Sequence, residues 1–327
     1  MSLKERAPRN RTLQVDQGEH QAYAEKLLRI SEVVSIDDIK NRLALGDFFA
    51  VAGLLPDQFA DLIIVDPPYN LSKSFGEFTF KKQSIAQYSE YVESWLTLLL
   101  RLLKPEGALY ICGDWLTSTS IHLVASKYLE VQNRITWERE KGRGALRNWK
   151  NSSEDIWFLT KGKNYKFNVE AVKLKRRVIA PYKVNGVPKG WEESPEGNFR
   201  LTHPSNLWND ITVPYWSMPE NTDHPTQKPE KLIAKLILAS TEPGDIVFDP
   251  FVGSGTTTVV AKKLARQYFG LDINETYLAW AMKRLVRADI DKAIQGYSNG
   301  CFWERNSLNF QDKQSTPADN GVLFREA

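Results

Sequence analysis

The sequence predicts an α/β protein built on a mostly parallel, doubly wound sheet. An apolar run at residues 62–65 stops abruptly at Asp66-Pro67-Pro68, as a buried parallel strand does. A second apolar run, residues 246–248, leads into a Gly-rich turn and then a helical pattern. A third, residues 108–112, follows a strongly apolar helix. Strands that alternate with helices in this way predict one open sheet covered on both faces.

Composition places the chain among ordinary globular proteins. It has 327 residues, 42% hydrophobic and 25% charged, which is enough for one large domain or one domain with an insertion. Cys112 and Cys301 give neither a disulfide framework nor a metal-ligand spacing, so no metal is expected. No window reaches the length of a transmembrane helix, so we expect no membrane association, and the lack of a disulfide framework suits a reducing, cytoplasmic location. The net charge of +3 does not by itself identify a nucleic-acid-binding protein.

The N-terminal half contains the first elements of the sheet. Residues 1–40 predict an arm with a short helix near residues 23–30, and residues 41–47 predict a strand that ends in Gly46-Asp47. Residues 88–103 form an apolar helix, and the strand at residues 108–112 follows it. Two further strands, residues 131–137 and 155–160, predict a hairpin at the edge of the sheet.

The C-terminal half repeats the alternation of strand and helix. Pro229 suits the first turn of a helix, and the apolar residues that follow it give that helix one apolar stripe. The strand at residues 246–249 comes next, then a helix, and then a strand over residues 268–272. The tail from residue 306 is polar and is expected to be disordered.

The tetrapeptide Asp66-Pro67-Pro68-Tyr69 suggests a substrate. A carboxylate, a backbone carbonyl held by proline and an aromatic ring fit a planar base that carries an exocyclic amine. Asp66 can accept one amino hydrogen, the Pro67 carbonyl can accept the other, and the Tyr69 ring can stack on the base. The same four residues could also form an ordinary turn, so a second motif is needed.

The second motif is the Gly-rich turn after the strand at residues 246–249. Its glycines let the backbone approach a ligand closely. It is not a P-loop, which needs Gly-Lys-Thr, and it is not the dinucleotide fingerprint, which needs a third glycine where Thr258 stands. The turn has the sequence Asp249-Pro250-Phe251-Val252-Gly253-Ser254-Gly255-Thr256-Thr257.

Together the two motifs resemble those of the DNA amino-methyltransferases, which transfer a methyl group from S-adenosylmethionine to an exocyclic nitrogen. In that family the catalytic motif is Asp-Pro-Pro-Tyr and the cofactor motif is Asp-Pro-Phe-x-Gly-Ser-Gly-Thr. Here the catalytic motif comes first by about 180 residues, as in the circularly permuted β class. The resemblance covers roughly residues 40–290. It implies a permuted Rossmann-like methyltransferase fold, an adenine-N6-specific activity within a restriction-modification system, and base flipping.

The resemblance implies S-adenosyl-L-methionine as the cofactor. Asp47 is a predicted cofactor contact, although a plain helix N-cap explains it nearly as well. For the ribose we prefer Asp272 to Glu275, because Asp272 ends its strand directly whereas Glu275 lies in the first turn of the next helix. The full predicted set is Asp47, Thr226, Lys228, Asp249, Pro250, Phe251, Gly253, Ser254, Gly255, Thr256, Thr257 and Asp272, and the predicted catalytic set is Asp66, Pro67, Pro68 and Tyr69.

Double-stranded DNA is the expected partner, and a basic, irregular region is the expected contact surface. Residues 161–183 hold eight Lys and Arg residues against one acid, which on its own would suggest only a solvated face. Beside the two motifs, phosphate contacts become the better interpretation. The predicted DNA contacts are Lys73, Arg147, Lys175, Arg176, Arg177 and Arg200. Trp137 is either a substrate contact or edge packing, and dimers among relatives make a homodimer possible.

Three alternatives stay open. Cytosine N4 is also an exocyclic amine, but permuted enzymes for cytosine usually begin the motif with Ser rather than with the acid found at Asp66. RNA or protein-amide enzymes use Asn-Pro-Pro-Tyr, which again differs at Asp66. A DNA-binding relative without activity would not need both motifs complete.

The predicted organisation has five parts. They are an N-terminal arm and helix (1–40), the catalytic half (41–160), a target-recognition region (161–222), the cofactor-binding half (223–300) and a polar tail (301–327).

Overall fold

A computed structural model describes residues 7–75, 78–139, 146–179, 182–194, 197–305 and 307. Its largest element is an eight-stranded sheet. The strands are β1 (Arg42–Leu45), β2 (Ala60–Val65), β5 (Leu103–Gly113), β6 (Glu130–Glu138), β7 (Ser153–Thr160), β13 (Leu207–Trp208), β14 (Ile246–Asp249) and β15 (Gln267–Asp272). Their order is β1-β15-β14-β2-β5-β7-β6-β13. Every neighbouring pair is parallel except the two that involve β7.

The predicted fold class is confirmed. The sheet is mostly parallel, and the C-terminal strands β14 and β15 lie between the N-terminal strands β1 and β2. β6 and β7 form the expected antiparallel pair, and the two-residue strand β13 lies outside them at the edge.

Helices cover both faces of the sheet. They are α1 (Gln17–Ala24), α2 (Ile36–Ile39), α3 (Phe48–Val51), α4 (Ile85–Leu102), α5 (Thr117–Ala125), α6 (Glu230–Ser240), α7 (Thr256–Lys263) and α8 (Glu275–Ile290), with 3₁₀ turns at Ala52–Leu54 and Glu170–Val172. β2 shows why residues 62–65 form an unbroken apolar run. Ile64 packs into one core with α6, α7 and α8, and Ile63 packs into the other with α3, α4 and α5.

The N-terminal helix lies earlier than predicted. The prediction near residues 23–30 was wrong, because α1 ends at Ala24 and Leu28 is extended, bridging to Ala44. The helix begins where it does because Asp16 and Glu19 form a capping box, each side chain binding the other residue's backbone N–H.

Helix α6 is buried on every side, not along one stripe as predicted. Its polar residues are buried because they are paired. Lys231 and Lys235 both bind Asp210, and Glu230 binds Lys263 and Arg284. The pattern of apolar residues could not show these pairs, whose partners lie far away in the sequence.

Three smaller sheets complete the described part. β3 (Lys73–Phe75) pairs with β4 (Phe78–Phe80), and β9 (Lys183–Val184) pairs with β10 (Val187–Pro188). A five-stranded sheet has the order β11-β12-β8-β17-β16, with β8 (Leu174–Arg177), β11 (Glu192–Ser194), β12 (Gly197–Thr202), β16 (Tyr297–Ser298) and β17 (Cys301–Trp303). No helix within the described ranges is long and apolar enough to cross a membrane.

The five-stranded sheet joins two segments that the sequence prediction kept apart. β8, β11 and β12 come from the predicted target-recognition region, whereas β17 lies inside the predicted polar tail. Phe302 and Trp303 of β17 are buried, so the ordered chain continues past residue 300. Residue 306 and residues 308–327 lie outside the described part, and so does the prediction of disorder made for them.

Candidate active site

Three acidic residues lie at the carboxyl edge of the main sheet. Asp66 follows β2, Asp249 ends β14 and Asp272 ends β15, and these three strands are consecutive in the sheet. Parallel strands present their carboxyl ends at one edge, which is where open α/β sheets bind ligands. The order of the strands therefore brings together two motifs that are far apart in the sequence.

The tetrapeptide is fixed by hydrogen bonds at both ends. The Tyr69 hydroxyl donates to Asp66 Oδ1 at 2.9 Å, and the Tyr88 hydroxyl donates to the Pro68 carbonyl at 2.7 Å. The next residue, Asn70, is buried and donates its backbone N–H to Thr117 Oγ1 at 3.0 Å. Among the described residues, none donates a backbone hydrogen bond to the Pro67 carbonyl.

Lys228 lies on the catalytic acid. Its Nζ is 2.7 Å from both carboxylate oxygens of Asp66 and 3.1 Å from the Tyr69 hydroxyl. Burial by itself lowers the pKa of Lys228, but the carboxylates of Asp66 and Glu154 outweigh burial and raise it, so this side chain is an ammonium ion. The sequence interpretation had assigned Lys228 to the cofactor, and its contacts in the structure are with the catalytic tetrapeptide.

Glu154 of β7 is a second acid in this cluster. Its Oε2 lies 3.1 Å from the Tyr69 hydroxyl oxygen and 3.3 Å from Lys228 Nζ, and its Oε1 binds Arg139. Burial raises the pKa of the Tyr69 hydroxyl, and the charges of Asp66 and Glu154 raise it further, so Tyr69 is a neutral donor.

A cavity of about 200 Å³ opens beside Lys228 and Glu154. Thr226 and His224 line it from the segment before α6, and Trp137 lines it from β6. The Trp137 indole N–H donates to the Ile211 carbonyl at 3.2 Å and the side chain is buried, which favours packing, while its contact with substrate stays a prediction.

The Gly-rich loop has the backbone that its glycines predict. Gly253 and Gly255 have φ of +51° and +81°, in the left-handed region that side chains disfavour. Gly255 caps the N-terminus of α7. A Cβ on Gly253 would lie 2.9 Å from His224 Nε2, and a Cβ on Gly255 would lie 2.5 Å from the Ala281 Cβ.

Two acids stabilise the loop. Asp272 Oδ2 accepts the Gly253 N–H at 2.8 Å, and Asp249 Oδ1 accepts the Phe251 N–H at 3.0 Å. Burial raises the pKa of Asp249 to about 7 and that of Asp272 to about 6. A cationic ligand would favour their ionised forms, and S-adenosyl-L-methionine carries a sulfonium and an ammonium group. The donor set therefore fits this cofactor.

The remaining loop residues connect the two motifs. Thr256 Oγ1 donates to the Lys228 carbonyl at 3.2 Å, and Arg284 binds both the Ser254 carbonyl and Thr256 Oγ1 at 2.9 Å. The Thr257 side chain is hydrogen-bonded to Asp249, and Pro250 lies between Asp249 and Phe251 in the turn. Every predicted loop residue is thus at the same sheet edge as Asp66.

Asp47 and Glu275 have structural roles in the described contacts. Asp47 is exposed and caps α3 by accepting the Phe49 N–H at 3.0 Å, which is the alternative that the sequence left open. Its strand β1 pairs with β15, so Asp47 still lies at the edge that holds Asp272. Glu275 pairs with Arg29 at 3.4 Å, away from the loop.

The predicted DNA contacts do not form one surface. Arg176 of β8 and Arg200 of β12 lie directly opposite each other in the sheet. Lys175 instead points to the other face, where its ammonium lies over the ring of Trp303 at 4.6 Å. Arg147, Arg177 and Arg200 are exposed, whereas Lys175 and Arg176 are half-buried. The side chain of Lys73 lies outside the described part.

Sequence reasoning missed Glu154, Arg139 and His224. Glu154 had one signal available, because it and Asp155 directly precede the apolar run at residues 156–159, and acids at the start of a buried strand must have partners. His224 and Arg139 gave no such signal. Their partners, Gly253 and Glu154, meet them only through the fold.

Comparison with known proteins agrees with this geometry. Residues 60–283 match a protein-family model described as DNA methylase. The chain belongs to this family. It is accordingly a DNA methyltransferase with S-adenosyl-L-methionine as methyl donor, as the sequence predicted.

Relatives and solved structures extend the comparison. The chain is 37% identical to the type II methyltransferase M.HpaI of Haemophilus parainfluenzae over 71% of this chain and 69% of that protein. It is 34% identical to the DNA adenine methyltransferase YhdJ of Escherichia coli K12 over 73% of this chain and 81% of that protein. PvuII DNA methyltransferase, which is cytosine-N4-specific, shares the fold with a TM-score of 0.56 at 17% identity, covering 78% of this chain and 90% of its own. A DNA modification methylase of Thermus thermophilus, solved with S-adenosyl-L-methionine, has a TM-score of 0.50 at 20% identity over 81% of this chain and 98% of its own.

Proposed function

We propose that this protein methylates the exocyclic N6 of adenine in double-stranded DNA at a specific site, as part of a restriction-modification system. The observation that carries the proposal is the position of Asp66, which follows β2, at the same sheet edge as the Gly-rich loop that follows β14. The names of two relatives support it, one as a type II enzyme and one as an adenine enzyme.

Two hydrogen-bond acceptors, Asp66 and the Pro67 carbonyl, would make the exocyclic amine of the base a better nucleophile. The lone pair of an aryl amine is delocalised into the ring, and two acceptors that bind its hydrogens out of plane localise that lone pair on nitrogen. Asp66 is held in place by the bond from Tyr69, and the chain directly after Pro67 is held by the bond from Tyr88 to the Pro68 carbonyl. Orientation of this kind can supply about 7 to 11 kcal/mol of the barrier in favourable cases.

S-adenosyl-L-methionine supplies the electrophilic methyl group when it is bound. The chain holds it with the amides and side chains of the Gly-rich loop and with the carboxylates of Asp249 and Asp272. Thr226, in the wall of the neighbouring cavity, is the proposed contact from the segment before α6. We keep Asp47 as a proposed contact at the same edge.

The target nitrogen lies within a duplex, so the base must be flipped out at a cost of a few kcal/mol. Tyr69 stacking is proposed to offset part of that cost. Exposed basic residues of the target-recognition region, Arg177 and Arg200, are proposed to contact the phosphates, together with Arg147. Cytoplasmic location and a homodimer stay predictions, and light scattering of the purified protein would measure the oligomeric state.

The test is methyl transfer from labelled S-adenosyl-L-methionine to unmodified genomic DNA, followed by digestion and nucleoside mass spectrometry. N6-methyladenine is the expected product, and mapping the modified positions would give the recognition site. N4-methylcytosine would overturn the choice of base. DNA that stays unlabelled, with cofactor still bound, would overturn the proposed substrate.

A further inference from the structure

The Asp66 carboxylate, which the proposed reaction needs as a hydrogen-bond acceptor, is already bound by Lys228 and Tyr69. Lys228 Nζ lies 2.7 Å from each oxygen of Asp66, and the Tyr69 hydroxyl donates to Oδ1 at 2.9 Å. An ammonium ion and an amino group are both N–H donors, so they compete for the same carboxylate. The ammonium of Lys228 thus stands where the target amine would bind Asp66.

Lys228 is so buried that it cannot move away from Asp66 unless another carboxylate pairs with it. Its side chain is 7% exposed, and an uncompensated charge at such a position is strongly unfavourable. Any displacement by substrate therefore requires a second carboxylate within reach of the ammonium.

Glu154 is that second carboxylate. Its side chain is 5% exposed, and its Oε2 lies 3.3 Å from Lys228 Nζ, longer than the bonds to Asp66 but on the same ammonium. Arg139 binds the other oxygen, and the Tyr69 hydroxyl lies between the two acids, 2.9 Å from Asp66 and 3.1 Å from Glu154. A small movement of the lysine would transfer the ammonium from one acid to the other.

We propose that Glu154 is a positioning residue, which takes over the Lys228 ammonium when the target amine binds Asp66. Lys228 occupies Asp66 in the free enzyme, and it moves to Glu154 when the flipped base enters. This role rests on the proposed function, since it needs an amine to displace the ammonium. It assigns to Glu154 and Lys228 a step that precedes methyl transfer and involves no change in covalent bonds.

The first test is Glu154→Gln, which keeps the size of the side chain and removes its charge. Of the two carboxylates that pair with Lys228 in the described part of the chain, Asp66 then remains, and the competent state becomes a minor population. We expect kcat for DNA methylation to fall by about tenfold or more. KM for DNA should change little because phosphate contacts dominate it, and the affinity for S-adenosyl-L-methionine, measured by calorimetry, should stay within about twofold because the loop is untouched. Glu154→Asp, which keeps the charge, should recover part of the kcat.

The decisive test is the double variant Glu154→Gln with Lys228→Met. Removing the ammonium removes the competitor for Asp66, so the double variant should be faster than Glu154→Gln alone. A merely structural role for Glu154 predicts no gain in kcat, because replacing Lys228 as well removes its contacts with Asp66 and Tyr69 and restores none of the contacts that Glu154 made. A double variant slower than Glu154→Gln, or a kcat for Glu154→Gln equal to that of wild type, would overturn the proposal.

Wild-type methylation is measured first in the same assay. An inactive wild type would overturn the proposed function, whereas an active wild type with an unaffected Glu154→Gln variant would overturn only the role of Glu154. If thermal unfolding shows that Glu154→Gln does not fold, a crystal structure of the wild-type protein decides. It would contain S-adenosylhomocysteine and a duplex with the mapped site. Lys228 bound to Glu154 is expected there, and Lys228 still bound to both oxygens of Asp66 would refute the transfer.

Discussion

At the scale of single residues, the site depends on which charges are paired. Asp66 binds both Lys228 and Tyr69. When Asp66 is replaced, Lys228 still has a partner, because its ammonium also lies close to Glu154. The catalytic acid can therefore be deleted without leaving an unpaired buried cation, which makes it a clean target for mutation.

Asp66→Ala should abolish methyl transfer and leave cofactor binding intact. Loss of one acceptor aimed at the reacting amine should lower kcat by about 100-fold or more. Calorimetry with S-adenosyl-L-methionine should give the wild-type affinity, because the Gly-rich loop keeps its own contacts. Asp37→Ala is the matched control, since the Asp37 side chain is 90% exposed on the surface. Turnover of the Asp66 variant at the wild-type rate would refute the catalytic assignment.

The raised pKa of Asp249 predicts that cofactor binding is linked to protons. With a pKa of about 7, this carboxyl is partly protonated at neutral pH, and a bound cation favours its ionised form. Binding of S-adenosyl-L-methionine should therefore release protons and tighten as pH rises from about 6 to about 8. Calorimetry at pH 7 in phosphate and in Tris should give different enthalpies, and Asp249→Asn should reduce the difference. Equal enthalpies for the wild type would contradict the linkage.

The raised pKa of Asp249 also determines whether the cofactor-free protein becomes more or less stable to unfolding as pH rises. The folded-state pKa lies above the usual value of 3.8, so the folded state binds more protons than the unfolded state in the window between these two values. The contribution of Asp249 to stability is therefore fully present below about pH 4 and is lost as pH rises through about 7. Unfolding midpoints of wild type and Asp249→Asn across this range would measure it.

At the scale of elements, loop geometry and buried ion pairs decide what a substitution does. The sequence predicted the Gly-rich loop because glycine spacing is local information. The sequence could not predict that the His224 ring packs against Gly253, or that Asp210 pairs with two lysines of α6. These contacts join segments that are distant in the sequence and meet only in the folded chain.

Gly253→Ala should damage the cofactor site. The residue has φ of +51°, and its new Cβ would lie 2.9 Å from His224 Nε2, so backbone and ring must both shift. Backbone strain of this kind costs roughly 1 to 3 kcal/mol. We therefore expect the affinity for S-adenosyl-L-methionine to fall by about tenfold or more. Gly53→Ala is the matched control, because nothing lies within 4 Å of the Cβ built at that glycine. Equal calorimetric affinities for the two variants would show that the loop does not hold the cofactor.

Asp210→Ala should destabilise α6 and the fold around it. Lys231 and Lys235, both buried, would lose the carboxylate that each binds at 2.7 to 2.8 Å. Breaking a buried pair from one side costs about 3 to 5 kcal/mol. Asp289→Ala, which removes a carboxylate that is 61% exposed and paired with Lys262, should cost about 1 kcal/mol or less. Urea unfolding would compare the two, and similar losses would mean that the α6 lysines find other partners.

At the scale of the whole molecule, the sequence was most informative where function is local. The two motifs lie in short runs of the chain, whereas the order of the strands was not predicted, since it depends on pairing between distant segments. The five-stranded sheet was not predicted, because β17 pairs with β8 across more than a hundred residues and its segment looks polar as a whole. Lys175, drawn from a basic run, is partly used inside the protein for the same reason, since Trp303 of β17 lies under it.

The exposure of side chains in that sheet, rather than their place in the basic run, predicts which basic residues meet DNA. Arg200 is exposed, whereas Lys175 is half-buried over aromatic rings. Arg200→Ala should weaken DNA binding and reduce the slope of log K against log salt by about 1, as expected for one lost phosphate contact. Lys175→Ala should leave that slope unchanged and lower stability instead, because its main contacts are with Phe199 and Trp303.

Fluorescence anisotropy with a labelled duplex, measured over a series of salt concentrations, gives both slopes. The matched control is Arg42→Ala, an exposed arginine at the start of β1 and therefore at the sheet edge opposite the active site. It should alter neither the slope nor cofactor affinity. A slope that falls equally for Arg42→Ala and Arg200→Ala would mean that DNA attraction is spread over the whole surface. That result would contradict the prediction that the five-stranded sheet is the surface that contacts DNA.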